Sequence, residues 1–291
     1  MDLLSIEKES VYRRLRKNII FPVHEVAKIA SAWNISLDDI IEIDADQISF
    51  RARIWNYVNP SKGDLESMQK TIQRVDALKN IPDLEYLEVC NKMPRSLTSG
   101  FLYLRRFQML RWMYQAANDE VLPFSKINLP PMVSKLSSDY YMYIKNLANT
   151  SYIWDFMLFN SVVGCIRYFN SIYLITDEEK ELIKNDLQTL IDYMSEVASK
   201  GCWPETGNKV NLYISHINID TNYSYFYSNE MKACIVHAFV KSELISYCPE
   251  MVEDFRAWMQ LKKKSSVLIS GADEKSRIEF FMKQRELIDT L

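Results

Sequence analysis

Residues 152–175, YIWDFMLFNSVVGCIRYFNSIYLI, are long and apolar enough to raise the question of a membrane span, for which a helix needs about 20 residues. Asp155, Asn160, Arg167 and Asn170 interrupt the run, and a charged side chain near the centre of a span costs roughly 2.5–3.5 kcal/mol. The stretch therefore reads as a buried core helix over residues 151–173, with no membrane partner. Composition agrees: 48% hydrophobic and 25% charged residues are ordinary globular values. Only 6 Gly and 9 Pro leave little room for long coil linkers and argue against an all-β fold. The 17 Tyr and 13 Phe supply bulk for a large core, each ring burying on the order of 150–250 Å². A chain of 291 residues suits one or two domains.

The five cysteines, Cys90, Cys165, Cys202, Cys234 and Cys248, are widely spaced and contain no C-x-x-C pair. That pattern argues against a disulfide framework or zinc ribbon and fits a reducing compartment. The opening MDLLSIEKES lacks the apolar run of a signal peptide, so a cytoplasmic location is expected.

Helical periodicity dominates the pattern. Asp64 can cap a helix to about Asn80, with Leu65, Met68, Ile72, Val75 and Leu78 every three or four residues. This seam is also a candidate dimer interface. Leu84, Leu87 and Val89 suggest a short helix, and residues 97–117 and 131–148 two longer ones. Thr176-Asp177-Glu178-Glu179 is a capping box for a helix to about Ser199, with Gly201 suited to its end. Val210, Leu212 and Ile214 alternate, as do Tyr223, Tyr225 and Tyr227; period two predicts a small antiparallel sheet over 209–240. Helices resume over 250–263 and 273–289. No internal repeat of about 34 residues appears.

The N-terminus carries the most pointed signal. Over residues 8–17, Lys8, Arg13, Arg14, Arg16 and Lys17 stand against Glu9 alone, in a chain of net charge −3. Val11, Tyr12 and Leu15 share a face and are expected to pack inward. Asn18 can end the helix in the left-handed conformation. Such a helix can neutralise phosphates with Lys and Arg, and residues near its start can reach base edges, Arg on guanine and Glu9 on a cytosine amine. A solvated basic face explains the same charges.

The order basic helix, Asn18, Pro22, amphipathic helix to Trp33, then Asn34-Ile35-Ser36-Leu37-Asp38-Asp39-Ile40 resembles the last three helices of the repressor-type five-helix DNA-binding domain. ESVYRRLRKN followed by EVAKIASAWNISLDDII is similar to a group of bacterial helix-turn-helix regulators with an ESAYRRIRG signature, and SSVLISGADEKSRIEFFMKQRELI resembles that group's tail. The resemblance implies a recognition helix bearing Lys8, Glu9, Ser10, Arg13, Arg14, Arg16 and Lys17. In that family two helices precede the recognition helix. Here only Met1 to Leu4 do, so either the true start lies upstream, which DNA binding would require, or the DNA-binding domain is truncated at its N-terminus.

The fold expected is mainly α: a partial helix-turn-helix over 1–45, a connector over 46–63 containing the Asn59-Pro60-Ser61-Lys62-Gly63 turn cluster, and an irregular helical domain over 64–291 with a small antiparallel β element. The function expected is that of a transcription regulator binding double-stranded DNA as a homodimer, with residues 64–291 dimerising or sensing an effector that the sequence does not name. The alternative is a non-enzymatic protein-interaction module that has lost DNA binding through truncation. No catalytic residues, cofactor or metal are expected. G-x-S-x-G, P-loop and G-x-G-x-x-G motifs are absent, and His24, His216 and His237 lack metal-site spacing. Arg105-Arg106 and Arg111-Trp112 read as the outer face of an amphipathic helix. Gly201-Cys202-Trp203-Pro204 reads as a turn, and the tyrosine run as a half-buried strand or the lining of a ligand pocket.

Overall fold

The computed structural model describes residues 3–33, 50–54, 60–78, 81, 83–116, 122–238 and 242–291. The chain forms two compact units, Met1–Phe50 and Arg51–Leu291.

In the first unit, helix α1 spans Lys8–Leu15 and α2 spans Val23–Trp33. Helix α1 closes in a Schellman turn: the Lys17 N–H donates to the Arg14 carbonyl and the Asn18 N–H to the Arg13 carbonyl, each at 2.9 Å. Lys17, at φ +62°, occupies the left-handed position expected for Asn18. It stands where the ESAYRRIRG signature has Gly. Val11, Tyr12 and Leu15 do not bury as expected; Leu15 is 64% exposed. The third turn read over 36–40 lies outside the described residues.

The second unit is built on a mixed sheet. Its elements run β1 Arg51–Arg53, α3 Pro60–Leu78, β2 Glu85–Cys90, α4 Arg95–Thr98, α5 Leu102–Ala116, a 3-10 turn at Phe124–Lys126, α6 Pro131–Asn146, β3 Asn149–Asp155, α7 Leu158–Ser171, α8 Asp177–Lys200, β4 Lys209–Ser215, β5 Tyr223–Tyr227, β6 Lys232–His237, β7 Glu243–Ser246, α9 Pro249–Lys264, β8 Val267–Leu268 and α10 Glu274–Asp289. The eight strands lie in the order β1-β7-β6-β5-β2-β3-β4-β8. Strands β2, β3 and β4 are parallel, and every other neighbouring pair is antiparallel.

The unit is thus an α/β structure, which corrects the expectation of a mainly α fold with a small antiparallel element. The error arose at β2 and β3. Strands buried on both faces lose the polar–apolar alternation that marks a strand and read as apolar runs. Leu84, Leu87 and Val89 belong to a strand and its approach, not to a helix. The 151–173 segment is a strand followed by a helix, parted where Asp155 accepts the Met157 N–H at 2.8 Å and the Ile219 N–H at 2.9 Å. Asn160 and Arg167 sit on the exposed side of α7. The 97–117 helix is also two, α4 and α5, broken at Gly100, where a Cβ would stand 2.8 Å from the Tyr141 ring. Strands β4 and β5 are neighbours in sequence but not in the sheet, since β2 and β3 lie between them. Part of the expected connector, Arg51–Arg53, is an edge strand of this sheet.

Pleating sends Tyr86, Glu88 and Cys90 to one face and Leu87 and Val89 to the other. The first face carries the larger core, with Trp154, Leu212 and Phe226 packed under α5, α7, α8 and α10. The second is covered by α9 through Val252, Phe255 and Met259. The tyrosine run faces α9, where Tyr225 donates to Glu85 at 2.6 Å and Tyr227 to Glu253 at 2.8 Å. Helix α3 packs on α6 of the same chain, and Leu78 of the expected dimer seam lies in the core. The capping box of α8 forms both ways, Glu179 N–H to Thr176 Oγ1 at 3.2 Å and Thr176 N–H to Glu179 Oε2 at 3.0 Å. Gly201 follows at φ +68°. No helix among the described residues is long and apolar enough to cross a membrane.

A non-Gly residue at a left-handed position costs about 1 kcal/mol. Lys17→Gly should therefore stabilise the first unit by about that amount, read as slower amide exchange along α1.

Candidate functional site

Two sites carry chemistry, one in each unit. On α1 and the turn that ends it, Lys8, Glu9, Arg13, Arg16 and Lys17 are exposed and Ser10 is half-buried. Arg14 is not among the exposed cations. Its Nη2 donates to Glu25 Oε1 at 2.9 Å and its Nε stands 2.6 Å from Oε2, with side chains only 14% and 5% exposed. Nη1 returns to the Ser10 carbonyl at 3.2 Å. Arg14 is the clamp that holds α1 to α2. The side chains of Arg13, Arg16 and Lys17 meet no acid or hydrogen-bond acceptor among the described residues. Lys8 lies 5.8 Å from the Tyr12 ring centre.

In the second unit a cavity of about 170 Å³ opens at the carboxyl end of β2. Here the parallel strands on one side of β2 give way to antiparallel strands on the other. In open sheets such a reversal leaves a crevice outside the strand ends. Eight strands and helices contribute to its lining, among them β2 with Tyr86 and Glu88, α5 with Gln108, Arg111 and Trp112, and β7 with Glu243.

Glu88 is the central group. Its place on the inward face of β2 follows from the pleat, between Tyr86 and Cys90. It is 4% exposed, and its Oε2 accepts from the Tyr86 hydroxyl at 2.8 Å and Ser96 Oγ at 2.7 Å. Its Oε1 accepts nothing among the described residues. Burial lifts its pKa to about 7; Glu243 raises it further, while the Ser96 and Tyr86 hydrogen bonds oppose the rise. Glu243 pairs with Arg53 at 3.2 Å across the β1–β7 ladder. Arg95, at the start of α4, reaches Ser67 at 3.4 Å, and burial lowers its pKa.

The rim is fixed by Asn222. Its Oδ1 accepts the N–H groups of Asn91 and Lys92 at 2.9 and 3.0 Å, and its Nδ2 donates to the Lys92 carbonyl at 3.0 Å. The β2–α4 loop is thereby tied to the start of β5. Phe226 stacks on Tyr86 at 4.7 Å, and Trp112 and Tyr140 complete an aromatic wall. Arg111 touches the Phe107 ring at 5.8 Å, and its guanidinium has no hydrogen bond or ion pair among the described residues.

By contrast, the buried Lys145 is satisfied. It pairs with Glu205 at 2.7 Å and lies 3.9 and 4.5 Å from the rings of Tyr141 and Tyr193. His24 and His216 are exposed, whereas His237 lines the cavity. No cluster of three or more His, Cys, Asp or Glu among the described residues could hold a metal.

Sequence reasoning missed the cavity. Arg111 and Trp112, expected on an outer helix face, line it. The available signal was Glu88 itself, a carboxylate enclosed by the apolar residues of EYLEVC. No family model, curated protein or solved structure matches the chain.

Two outcomes follow from these charges. Arg14→Ala leaves the Glu25 carboxylate buried and unpaired, which should cost the first unit about 3 kcal/mol, seen as loss of amide protection in both α1 and α2. For Glu88, the folded pKa lies above the unfolded value of 4.5. The folded state keeps a proton that the unfolded chain releases, so its contribution to stability falls as pH rises from about 4.5 to 7 and beyond. Glu88→Gln removes this titration. The stability of the variant relative to the parent should rise by as much as about 3 kcal/mol between pH ~4.5 and pH ~8, measured by denaturant unfolding.

Proposed function

We propose that the chain is a one-component transcription regulator that binds double-stranded DNA, with α1 as the recognition helix and the cavity of the α/β unit as its sensing site. The observation that carries this reading is the division of labour on α1. Arg14 is committed to Glu25, while Lys8, Arg13, Arg16 and Lys17 remain exposed with no acidic partner among the described residues. A helix anchored by one arginine and offering four cations outward fits a phosphate-lined groove. Glu9 and Ser10, in its first turn, are the base contacts this reading proposes.

The cavity supports the sensing half. Glu243, which lines it, holds Arg53 on the edge strand β1. That strand begins at the residue following the first unit. A ligand that competes for Glu243 therefore acts on the strand nearest in sequence to the DNA-binding unit. The regulator is proposed to act as a homodimer, as a palindromic operator requires.

A second reading has its own support. Leu15, Ile20, Val23 and Trp33 are exposed on the first unit, an apolar set that suits a protein-interaction module. Selection of bound DNA from a random pool, followed by affinity measurements against salt, separates the two. The regulator reading expects an enriched operator. Arg13→Ala and Arg16→Ala should each either lower the salt slope by about one or lose roughly 1–3 kcal/mol at a single base position, with folding intact. No enrichment, or parent-like binding by both variants, would leave the interaction module. Light scattering at micromolar concentration should return twice the chain mass.

A further inference from the structure

The cavity in the α/β unit leaves two charged groups open. Glu88 Oε1 accepts no hydrogen bond among the described residues although the side chain is almost fully buried. The Arg111 guanidinium makes neither a hydrogen bond nor an ion pair among them. A carboxylate oxygen open to a cavity suits a charged N–H donor, and a guanidinium suits a carboxylate or phosphate. Both line one cavity, together with the rings of Trp112, Tyr140 and Phe226.

Those demands narrow the ligand. A simple anion would meet Arg111 and Lys92 but would oppose Glu88 and Glu243. A simple cation would satisfy the carboxylates and leave Arg111 and Arg95 facing it. A cavity of about 170 Å³ is close to the ~150 Å³ that encloses a single benzene, so a nucleotide is too large to be enclosed. What remains is a small molecule carrying an ammonium and a carboxylate on a short apolar frame.

We propose that this cavity binds a free α-amino acid, its ammonium on Glu88, its carboxylate on Arg111 and its side chain against the aromatic wall. The inference deepens the sensing half of the regulator reading and rests on it for its biological meaning, though not for the binding itself. Binding has a proton signature. The ammonium favours ionised Glu88, which gives its proton to solvent. The groups set around this carboxyl and its cavity are Tyr86 and Cys90 on β2, Lys92 after it, Tyr152 on β3, Arg95 and Ser96 on α4, Arg111 on α5, Tyr140 on α6, His237 on β6 and Glu243 on β7. Of these, Glu243 opposes ionisation, while Tyr86 and Ser96 favour it through their hydrogen bonds.

The experiment is calorimetric titration of the full chain with each common L-α-amino acid in turn, at millimolar concentration and about pH 6.5. It is repeated with the N-acetyl and the carboxamide derivative of any that binds, and with Glu88→Gln and Arg111→Gln chains. Glu88→Gln keeps the shape of the side chain, and Arg111 has no hydrogen bond or ion pair among the described residues to lose, so both variants should fold with a parent-like circular dichroism spectrum. The expected result is binding of at least one amino acid, weakened at least about tenfold by either derivative and by either variant. Its heat should depend on the ionisation enthalpy of the buffer in the sense of proton release, and this dependence should vanish in Glu88→Gln.

Binding of no amino acid, or equal binding of the N-acetyl form, overturns the proposal, as do heats independent of buffer. DNA binding separates the two readings. If DNA binding depends on Arg13 but no amino acid binds, the regulator reading survives this failure. If an amino acid binds to a chain that selects no DNA, the inference stands and the regulator reading falls.

Discussion

Strand Glu85–Cys90 is hydrogen-bonded along both edges, parallel to one neighbour and antiparallel to the other, and five of its six residues are buried. Most of the second unit depends on this placement. A strand enclosed on both edges and both faces can admit a carboxylate only where other polar groups converge. Glu88 meets that condition near the carboxyl end of a strand that has a parallel neighbour on one edge and an antiparallel one on the other. The local polar set, Tyr86 two residues back and Ser96 one short loop ahead, is supplied by the chain around it. Desolvating a carboxylate is expensive unless it is hydrogen-bonded or neutralised. Here both remedies are partial, with one oxygen bonded and the ionised form disfavoured, and the group is left with capacity for a third.

The two faces of the sheet divide the remaining work. On one, a single helix covers Leu87, Val89, Ile153 and Cys234. There Glu85 is saturated by Arg256 at 2.8 Å, Gln260 at 2.9 Å and Tyr225 at 2.6 Å. On the other, a thick helical layer brings α3, α4, α5 and α6 over the end of β2 and encloses space between them and the strands. Glu85 and Glu88 are three residues apart on opposite faces. One carboxylate is fully engaged in holding a helix, and the other is held open in a cavity. That contrast sets the second face apart as the one that holds an unfilled carboxylate oxygen beside a cavity.

How far the sequence foretold this differs by element. Amphipathic helices and their caps were legible, because a half-exposed helix writes its packing into a three-to-four spacing and its ends into local hydrogen bonds, as Thr176 and Glu179 do. Strands β4 and β5 were legible for the same reason, since one side of each is partly polar. Strands β2 and β3 were not. The segments EYLEVC and NTSYIWD are buried on both sides, and nothing in their spacing separates them from a buried helix. With those two strands hidden, the expected sheet shrank to a small antiparallel element and the fold class went with it. The cavity was illegible for a further reason. Its residues run from Thr71 to Glu243, and only the pairing of β2 with β5, some 140 residues apart across Glu85 and Tyr227, brings them together.

The first unit places its charges by the opposite logic. Residues 8–17 put five cations in ten positions, and sequence spacing alone treats them as equivalent. Packing makes them unequal. Glu25 is buried on α2 and fixes Arg14 by a two-point contact; once that pair forms, the orientation of α1 about its own axis is set. Arg13 and Arg16 then fall on the solvent side as a consequence of where Arg14 must point. The apolar stripe of Val11, Tyr12 and Leu15, which spacing assigns to the core, is turned largely outward by the same rotation. A single buried ion pair thus decides which face of the helix is exposed and which cations stand on it. A basic helix that used all of its arginines on the surface would have no comparable device to fix its register against the rest of the unit.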